Sequence, residues 1–336
     1  MWQKLIRAGI IRSMHKRLTI GQIELETPVL LAPMAGYTDL SFRLEVRALG
    51  GLGLAFSEMV NPRSFMVGKA KKVAQLLATS AEDEPLSFQI YGHEPQYMAD
   101  GAKWLYDRGA KMIDINMGCP QRKIAGRGDG AGLLKTPRDA VALAHKVVNA
   151  VTIPVTVKIR LVPPQAGILT SELVRELELA GVAAITVHPR TCAQMFEGHS
   201  DWSAIRAAVE AVKTIPIIGN GDILTSDDAI TMIRETGCSG VMLGRAAVKN
   251  PWLIRNCAAA LSDMPEPPPP SRADRLALMI MHLDRMTGQY GEDKAPLLFR
   301  KWIPPYARSM RVPRDHMVRI LKLRGLDEVR REISAL

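Results

Sequence analysis

A single cysteine stands where a short apolar run gives way to a glycine-rich segment. It is Cys119, in the stretch DINMGCPQRKIAGRGDGAGLL that runs from Asp114 to Leu134. A cysteine at this place is either a small buried hydrophobe that ends a strand or a thiol positioned for chemistry. None of the four cysteines lies in a CxxC pair or at a zinc-ligand spacing from a histidine, and HExxH is absent. We therefore predict no structural metal.

Other polar residues share the position of Cys119, because each lies at or near the end of an apolar, β-branched run. They are Gln89, Asn116, Lys158, Arg160, His188, Arg190, Asn220, Asp222 and Arg245. Lys158 stands inside VTVKIRL, and a buried ammonium must be paired or must face a ligand. Its partner is either an internal acid, such as Asp114 or Glu58, or an electron-rich ring that becomes anionic on reduction. His188 is likewise either a satisfied core residue or a functional group.

Glycines in two late runs indicate a phosphate site. IPIIGNGD and GVMLGRAA place Gly221 and Gly244 where backbone N–H groups can approach a ligand, with Arg245 as a bidentate partner. A phosphorylated cofactor suits this arrangement, and the alternative is that the glycines only form tight turns. The glycines after residue 125 partly match a dinucleotide-binding pattern. They lack its tight turn and the acid on a following strand, so we do not predict a Rossmann fold.

These residues need a scaffold that brings the ends of many strands together. Helical segments at 94–109, 136–151, 171–181 and 226–237 alternate with eight apolar runs, which cover residues 29–36, 52–60, 86–92, 112–119, 154–161, 183–190, 215–222 and 240–247. Repeated strand and helix units of this number predict an α/β protein built as a (β/α)8 barrel. In such barrels the active site lies at the carboxyl ends of the strands, where the polar residues named above are found.

The ends of the chain differ from its centre. The Pro-rich stretch DMPEPPPPSR predicts a linker over 263–272. We expect a basic N-terminal extension over 1–20, the barrel over 21–262 and a small helical domain over 273–336. The first residues lack the apolar core and cleavage site of a secretory signal. A mitochondrial transit peptide and a true start at Met14 stay open as alternatives.

The positive charge is concentrated at the two ends. Of a net charge of +10, residues 1–23 contribute five basic side chains and no acidic one, and residues 271–336 contribute 14 basic and 8 acidic ones. Such a distribution suits a polyanionic partner such as nucleic acid, and solvated charged helices are the alternative. No apolar run is long enough to cross a membrane, and the scattered cysteines form no disulfide framework. We expect a cytoplasmic monomer without a membrane partner.

Seven segments together resemble the tRNA-dihydrouridine synthases, closest to the bacterial B-type branch. In family order between residues 20 and 258, they are LAPMAGYTDLSFR, SFQIYG, DINMGCPQRKIAGRGDGAGLL, VKIR, ITVHPRT, IIGNGDI and GVMLGRAAVKNPWLI. The resemblance implies an enzyme that binds FMN, takes reducing equivalents transiently from NADPH, and reduces the C5–C6 double bond of particular uridines in tRNA.

The resemblance also implies roles for individual residues. Cys119 protonates C5 of the uracil, Asn116 contacts the uracil edge, and Arg190 holds base or phosphate. The residues implied for the cofactor are Pro33, Met34 and Ala35 against the isoalloxazine, Gln89 and Lys158 at its ring edge, His188 in the flavin pocket, and Asn220, Gly221, Asp222, Gly244 and Arg245 at the phosphate.

The chemistry of this reaction agrees with a cysteine. Hydride addition at C6 develops negative charge toward C5 and O4, so a proton donor is needed near C5. A thiol with a pKa of about 8.5 is protonated at neutral pH. We therefore predict that Cys119 is a neutral thiol, carried by a glycine-rich loop that closes over the base.

The RNA must also be held while the base leaves the stack. A basic helical region beyond the barrel suits this task, and FRKWIPPYARSMR interleaves basic with aromatic residues. Its two prolines only partly match the family segment and leave the helix geometry open. Two other functions also stay open: an FMN barrel that acts on a small molecule, as dihydroorotate dehydrogenase and the old yellow enzymes do, and an RNA-binding or folding-assistant protein.

Overall fold

Ten strands are present in the part of the chain that the structure describes. The computed structural model describes residues 17–66 and 70–336, so most of the predicted N-terminal extension lies outside the described residues. A hairpin comes first, formed by β1 (Thr19–Ile20) and β2 (Ile23–Glu24). The other strands are β3 (Val29–Leu31), β4 (Ala55–Phe56), β5 (Leu86–Ile90), β6 (Ile113–Met117), β7 (Val155–Arg160), β8 (Ala184–His188), β9 (Ile217–Asn220) and β10 (Gly240–Leu243).

Strands β3 to β10 form a closed parallel barrel. Each strand pairs with the next along the chain from β4 to β10, and β10 pairs in turn with β3. A parallel bridge between Leu30 and Leu54 joins the first strand to the second and completes the ring. The predicted (β/α)8 barrel is confirmed, and each of its strands lies within one of the eight apolar runs.

Helices cover the outside of the barrel. Those associated with the barrel are α1 (Leu40–Leu49), α2 (Pro62–Met66), α3 (Ala70–Leu76), α4 (Pro95–Tyr106), α5 (Arg122–Ala125), α6 (Pro137–Val148), α7 (Thr170–Leu179), α8 (Trp202–Ala211), α9 (Ser226–Thr236), α10 (Arg245–Lys249) and α11 (Leu253–Leu261). The four helices predicted from periodicity are α4, α6, α7 and α9. Local signals set their ends: proline occupies the first turn of α4 and α6, and Thr225 caps α9, which ends at Gly237 with a φ of 73°.

The N-terminal hairpin closes one end of the barrel interior. Leu18, Ile20 and Leu25 are buried in one apolar cluster with inward-facing strand residues such as Phe56 and Met242. The polar inward-facing residues Asp114, Asn116 and Lys158 follow toward the opposite, carboxyl end. The interior is therefore apolar at its base and polar at its mouth, which leaves the mouth as the place for a ligand.

Five helices follow the Pro-rich stretch and pack on the barrel. They are α12 (Arg272–Tyr290), α13 (Ala295–Phe299), α14 (Ile303–Ser309), α15 (Arg314–Lys322) and α16 (Leu326–Ser334). Helix α12 lies against α1 and begins at Ser271, whose side chain caps it. Pro304 and Pro305 lie in the first turn of α14, where their missing N–H groups break no helical hydrogen bond.

Neither a membrane-spanning helix nor a group of metal ligands is present among the described residues. None of their helices combines the length and the apolar character needed to cross a membrane. Within residues 17–66 and 70–336, no three His, Cys, Asp or Glu side chains come together as a group that could hold a metal ion.

Candidate active site

A chain of buried side chains leads from the barrel interior to Cys119. Thr156 on β7 donates to Asp114 Oδ1 at 2.6 Å, and Gln89 Nε2 on β5 donates to Asp114 Oδ2 at 2.7 Å. Asn116 Nδ2 donates to Gln89 Oε1 at 2.9 Å, while Asn116 Oδ1 accepts from the backbone N–H of Cys119 at 2.9 Å. Three adjacent strands thus fix the backbone at the cysteine.

The Cys119 thiol is partly buried at the barrel mouth. The burial raises its pKa, an effect that the Gln121 backbone N–H and the Arg160 guanidinium only partly oppose. The direction agrees with the predicted neutral thiol. Arg160 Nε also donates to the Gly118 carbonyl at 3.0 Å, and its Nη1 donates to Thr191 at 3.0 Å. Arg160 therefore ties the segment before the cysteine to the loop after β8.

Lys158 pairs with an amide. Its Nζ lies 2.9 Å from Asn220 Oδ1, and Asn220 Nδ2 donates to the Met242 carbonyl at 2.7 Å. Among the described residues, no carboxylate lies within ion-pair distance of Nζ, although Asp114 is near enough to stabilise its charge. Burial lowers the pKa of Lys158 to about 8. An ammonium held this way has charge left to offer an anionic ligand.

Arg190 is buried and serves the protein around it. Its Nη2 contacts both oxygens of Asp222 at 2.7 Å, and its remaining N–H groups reach Ser200, His188 and the carbonyls of Glu197 and Gly198. All five donors of the guanidinium are occupied. A direct contact of Arg190 with base or phosphate stays a prediction, and the observed contacts are those of a residue that positions its neighbours.

His188 is one of the residues that Arg190 positions. Burial and the surrounding cations hold the pKa of His188 well below its usual range. Its Nε2 lies 3.1 Å from Arg190 Nη1, which can only donate. The neutral ring therefore carries its proton on Nδ1.

Backbone strain marks the end of β9. Gly221 has a φ of 117°, and a Cβ there would lie 2.4 Å from Ser200 Oγ and 3.0 Å from His188 Cδ2. Asp222 follows with a φ of 57°, a left-handed conformation that its contacts with Arg190 and the Ser200 N–H stabilise. Steric contacts therefore require glycine at position 221. A tight turn without a ligand would require it equally.

The end of β10 faces the loop after β3. A Cβ on Gly244 would lie 3.7 Å from Ala32 Cβ and from Met34 Sδ. Arg245 is exposed, and its guanidinium lies 4.6 Å from the ring centre of Phe196, which Arg160 approaches from 5.2 Å. Gly244, Arg245 and Met34 therefore come together at one side of the mouth, as the prediction of a cofactor site requires.

The loop after β3 is clamped from two directions. It contains Pro33, Met34 and Ala35, and Thr38 Oγ1 accepts from the Met34 N–H at 2.8 Å. Gly36 directly follows Ala35. Its N–H donates to the buried carboxylate of Glu58, and its carbonyl accepts from Lys301 Nζ. The predicted flavin platform is thus held by the barrel and by the C-terminal helices together.

The aromatic residues of the C-terminal segment are buried. Trp302 stacks on Phe42 of α1 with ring centres 4.5 Å apart, and Phe299 and Tyr306 lie in the same cluster around His282. The interpretation of these rings as part of an RNA-binding surface is therefore not supported, because all three are buried between the C-terminal helices and α1. Arg308 and Arg311 remain exposed.

Sequence reasoning missed several residues of the site. Thr156 and Phe196 were given no role, and Asp114 and Glu58 were considered only as partners for Lys158. Thr156 lies two residues before Lys158, on the same face of a strand, so strand periodicity could have found it. Phe196 and Glu58 contact the site through the fold, and no local pattern marks them.

Comparisons with known proteins agree on one family. The family described as Dihydrouridine synthase (Dus) matches residues 30–328. A protein of Rhodobacter capsulatus named "Probable tRNA-dihydrouridine synthase" is 39% identical over 303 residues, covering 90% of this chain and 93% of that protein. A protein of the same name from Mycobacterium tuberculosis is 37% identical over 299 residues, covering 86% and 77%. Among solved structures, a 2-naphthoyl-CoA reductase complex has a TM-score of 0.56 at 12% identity, covering 76% of this chain and 53% of that one, and shares the fold.

Proposed function

Because this chain belongs to the dihydrouridine synthase family, we propose that it reduces the C5–C6 double bond of specific uridines in tRNA. FMN is the bound cofactor in this proposal and NADPH the transient reductant. The observation that carries it is Cys119, whose raised pKa and fixed backbone give a protonated thiol at the mouth of the barrel. A positioned acid of this kind typically contributes about 10²–10⁴ in rate.

The residues of the mouth fit FMN. Lys158 is hydrogen-bonded to a neutral amide and, within the part of the chain that the structure describes, has no carboxylate within ion-pair distance, which suits a ring system that gains negative charge on reduction. Gln89 is buried and bonded to Asp114 and Asn116, so its contact with the ring edge stays a proposal, and neutral His188 presents Nδ1–H. Met34 and Gly244 adjoin at one side of the mouth, and exposed Arg245 beside them suits the phosphate.

Two of the residues predicted for the phosphate have a different role in this proposal. Asn220 orients the Lys158 ammonium, and Asp222 orients Arg190, which in turn holds the His188 ring. They support the cofactor site without touching the phosphate. Arg190 is accordingly a positioning residue. In this proposal exposed basic side chains contact the substrate instead.

The chain's own groups act on the base. FMN, when bound and reduced by NADPH, supplies a hydride to C6 of uracil. Asn116 and the backbone it anchors hold the Cys119 thiol, whose proton goes from Sγ to C5 as negative charge develops there. The thiolate left on Sγ is reprotonated from solvent. Arg160, whose charge lowers the pKa of the thiol, stabilises that thiolate.

The C-terminal helices and the glycine-rich loop contact the RNA in this proposal. Arg308 and Arg311 on one side and Arg122, Lys123 and Arg127 on the other are exposed cations that can reach phosphates. We propose the division made from the sequence, with a barrel over 21–262 and a tRNA-recognition region over 273–336, acting as a monomer in the cytoplasm.

One experiment tests the proposal against its alternatives. Purified protein is examined for flavin absorbance and then incubated with NADPH and tRNA from a strain lacking this gene, with dihydrouridine mapped by mass spectrometry. We expect a yellow protein that restores dihydrouridine at defined positions. A colourless preparation that cannot take up FMN contradicts both enzyme hypotheses. Activity on dihydroorotate or enones without tRNA modification favours the small-molecule hypothesis.

A further inference from the structure

The barrel interior contains a carboxyl group that the proposed reaction does not use. Asp114 is fully buried on β6, and its two hydrogen-bond partners, Thr156 and Gln89, are both neutral. A buried carboxyl group whose hydrogen-bond donors are neutral costs stability compared with an apolar side chain of the same size, and the nearby Lys158 charge offsets only part of the cost of burial. Its contacts indicate what it does instead.

The hydrogen bonds around Asp114 have a fixed direction. An ionised carboxylate only accepts, so Gln89 must turn Nε2 toward it and Oε1 away. Oε1 then accepts from Asn116 Nδ2, which leaves Asn116 Oδ1 to accept from the N–H groups of Gly118 at 3.1 Å and Cys119 at 2.9 Å. These N–H groups can only donate, so both ends of the chain require the same orientation of both amides.

We infer that Asp114 is a positioning residue for Cys119, acting through the side-chain amides of Gln89 and Asn116. Without an acceptor at position 114, Gln89 can rotate by half a turn and present Nε2 to Asn116. Asn116 would then turn Nδ2 toward the Cys119 N–H, and donor would face donor. The inference rests on the proposed function only for the role that it gives to the thiol.

Thr156 allows a second hydrogen-bond arrangement in which residue 114 still accepts from Gln89. Its hydroxyl donates to Asp114 and lies 3.5 Å from the Ile113 carbonyl. If Oδ1 of residue 114 is replaced by a donor, the hydroxyl can accept from it and donate to Ile113. Oδ2 then remains an acceptor for Gln89. This holds for a protonated Asp114, whose pKa burial raises to about 7, and equally for an asparagine.

A double-mutant cycle of Asp114→Asn and Thr156→Val tests the inference. Asp114→Asn alone keeps the acceptor through Thr156, and Thr156→Val alone keeps it on the carboxylate. In the double variant the Thr156 hydroxyl no longer fixes the side-chain amide at position 114. This amide can then flip and present a donor to Gln89. The readout is the rate at which iodoacetamide alkylates Cys119 in the purified protein, followed by peptide mass spectrometry. Cys192, which is also partly exposed but contacts the Pro120 carbonyl next to Cys119, is followed in the same digest, and glutathione added to the reaction serves as the reference thiol.

We expect both single variants to stay within about twofold of the wild-type rate and the double variant to react about tenfold faster at Cys119, as loss of one buried hydrogen bond predicts. Alkylation of the reference thiol should not change. Equal rates in all four proteins, or effects that simply multiply, overturn the inference, because a merely structural role gives independent effects.

If the double variant does not fold, Gln89→Met breaks the next link with an isosteric side chain. It should accelerate alkylation of Cys119 by a similar factor, and an unchanged rate overturns the inference. Alkylation does not depend on tRNA or NADPH. A protein that fails to form dihydrouridine therefore contradicts the proposed function and still gives a readable answer on Asp114.

Discussion

The barrel mouth and the interface with the C-terminal helices both bury polar groups, but they arrange them differently. At the mouth, Asp114, Gln89 and Asn116 satisfy one another and end on a partly exposed thiol. At the interface, His282 and Trp302 lie among packed rings, and His282 Nε2 and Trp302 Nε1 have no hydrogen-bond partner among the described residues. One region orients groups toward a ligand, and the other holds two parts of the chain together.

The cations of the two regions differ in the same way. Lys301 and Arg300 at the interface are bound to the carbonyls of Gly36 and Leu323, where they fix loops. Lys158 at the mouth is bound to the amide of Asn220 and is only partly buried. A basic or aromatic residue therefore acquires a role from the face of the element on which it lies, and its type alone does not assign that role.

The largest effect should come from the thiol. Cys119→Ala removes the proton donor from the mouth, and we expect dihydrouridine formation to fall by about 10²–10⁴. Steady-state assays with tRNA and NADPH measure it. Cys192→Ala is the matched control because Cys192 lies nearby and is also partly exposed. Equal losses of activity in the two variants would contradict a specific role for Cys119.

Next in size is the interface. Trp302→Ala should lower the free energy of unfolding by about 3–5 kcal/mol, the usual cost of removing a buried large aromatic side chain. Trp302→Phe keeps ring packing against Phe42 and removes the unpartnered N–H, so its loss should be smaller. Urea unfolding of both variants measures the difference. A loss below about 1 kcal/mol for the alanine variant would show that the cluster does not stabilise the protein.

Charge at the mouth should give a pH-dependent effect of intermediate size. Burial lowers the pKa of Lys158 to about 8, so the ammonium is present below this pH and is lost as the pH rises through it. Affinity of the FMN-free protein for FMN should therefore weaken by about tenfold across this range, as loss of a charge-assisted hydrogen bond predicts. Quenching of FMN fluorescence measures it. Lys158→Arg should move the fall to higher pH, and a curve shared with Lys158→Met would contradict the role of the charge.

The smallest effects should come from exposed cations beyond the barrel. Arg308→Ala and Arg311→Ala should each weaken tRNA binding and lower the slope of log Kd against log salt by up to about one, the value for one lost phosphate contact. Filter binding over a salt series measures the slope. Arg175→Ala on α7 changes an exposed arginine on another side of the barrel and should leave the slope unchanged. Equal slopes in all three variants would show that Arg308 and Arg311 do not contact RNA phosphates.

The sequence predicted the barrel well because a strand buried on both faces leaves a strong local signal. Each apolar run became a strand, and the polar residues at the run ends came together at one face through topology alone. The C-terminal segment was harder to interpret. Alternating basic and aromatic residues look alike on a surface and at an interface, and only the helix face decides between them. Trp302 lies between α13 and α14 and is buried because its ring stacks on Phe42 of α1.

Partners inside the site were also beyond local patterns. The sequence offers either an acid or a ligand ring as the partner of Lys158, and neither possibility includes the observed acceptor Asn220, which lies 62 residues away. Arg190 was placed on the substrate because of where it stands in its motif, whereas its donors are used by a loop that folds back over it. Such choices depend on long-range packing, and side-chain type gives only the list of candidates.

The most direct test of the account separates the two half-reactions of Cys119→Ala without oxygen. The variant is first mixed with NADPH while flavin absorbance is followed, and the reduced protein is then mixed with tRNA lacking dihydrouridine. We predict that flavin reduction proceeds at the wild-type rate and that the reduced flavin then persists in the presence of tRNA, with no dihydrouridine formed. Reoxidation by tRNA at the wild-type rate, with dihydrouridine as the product, would contradict the assignment of Cys119 as the proton donor.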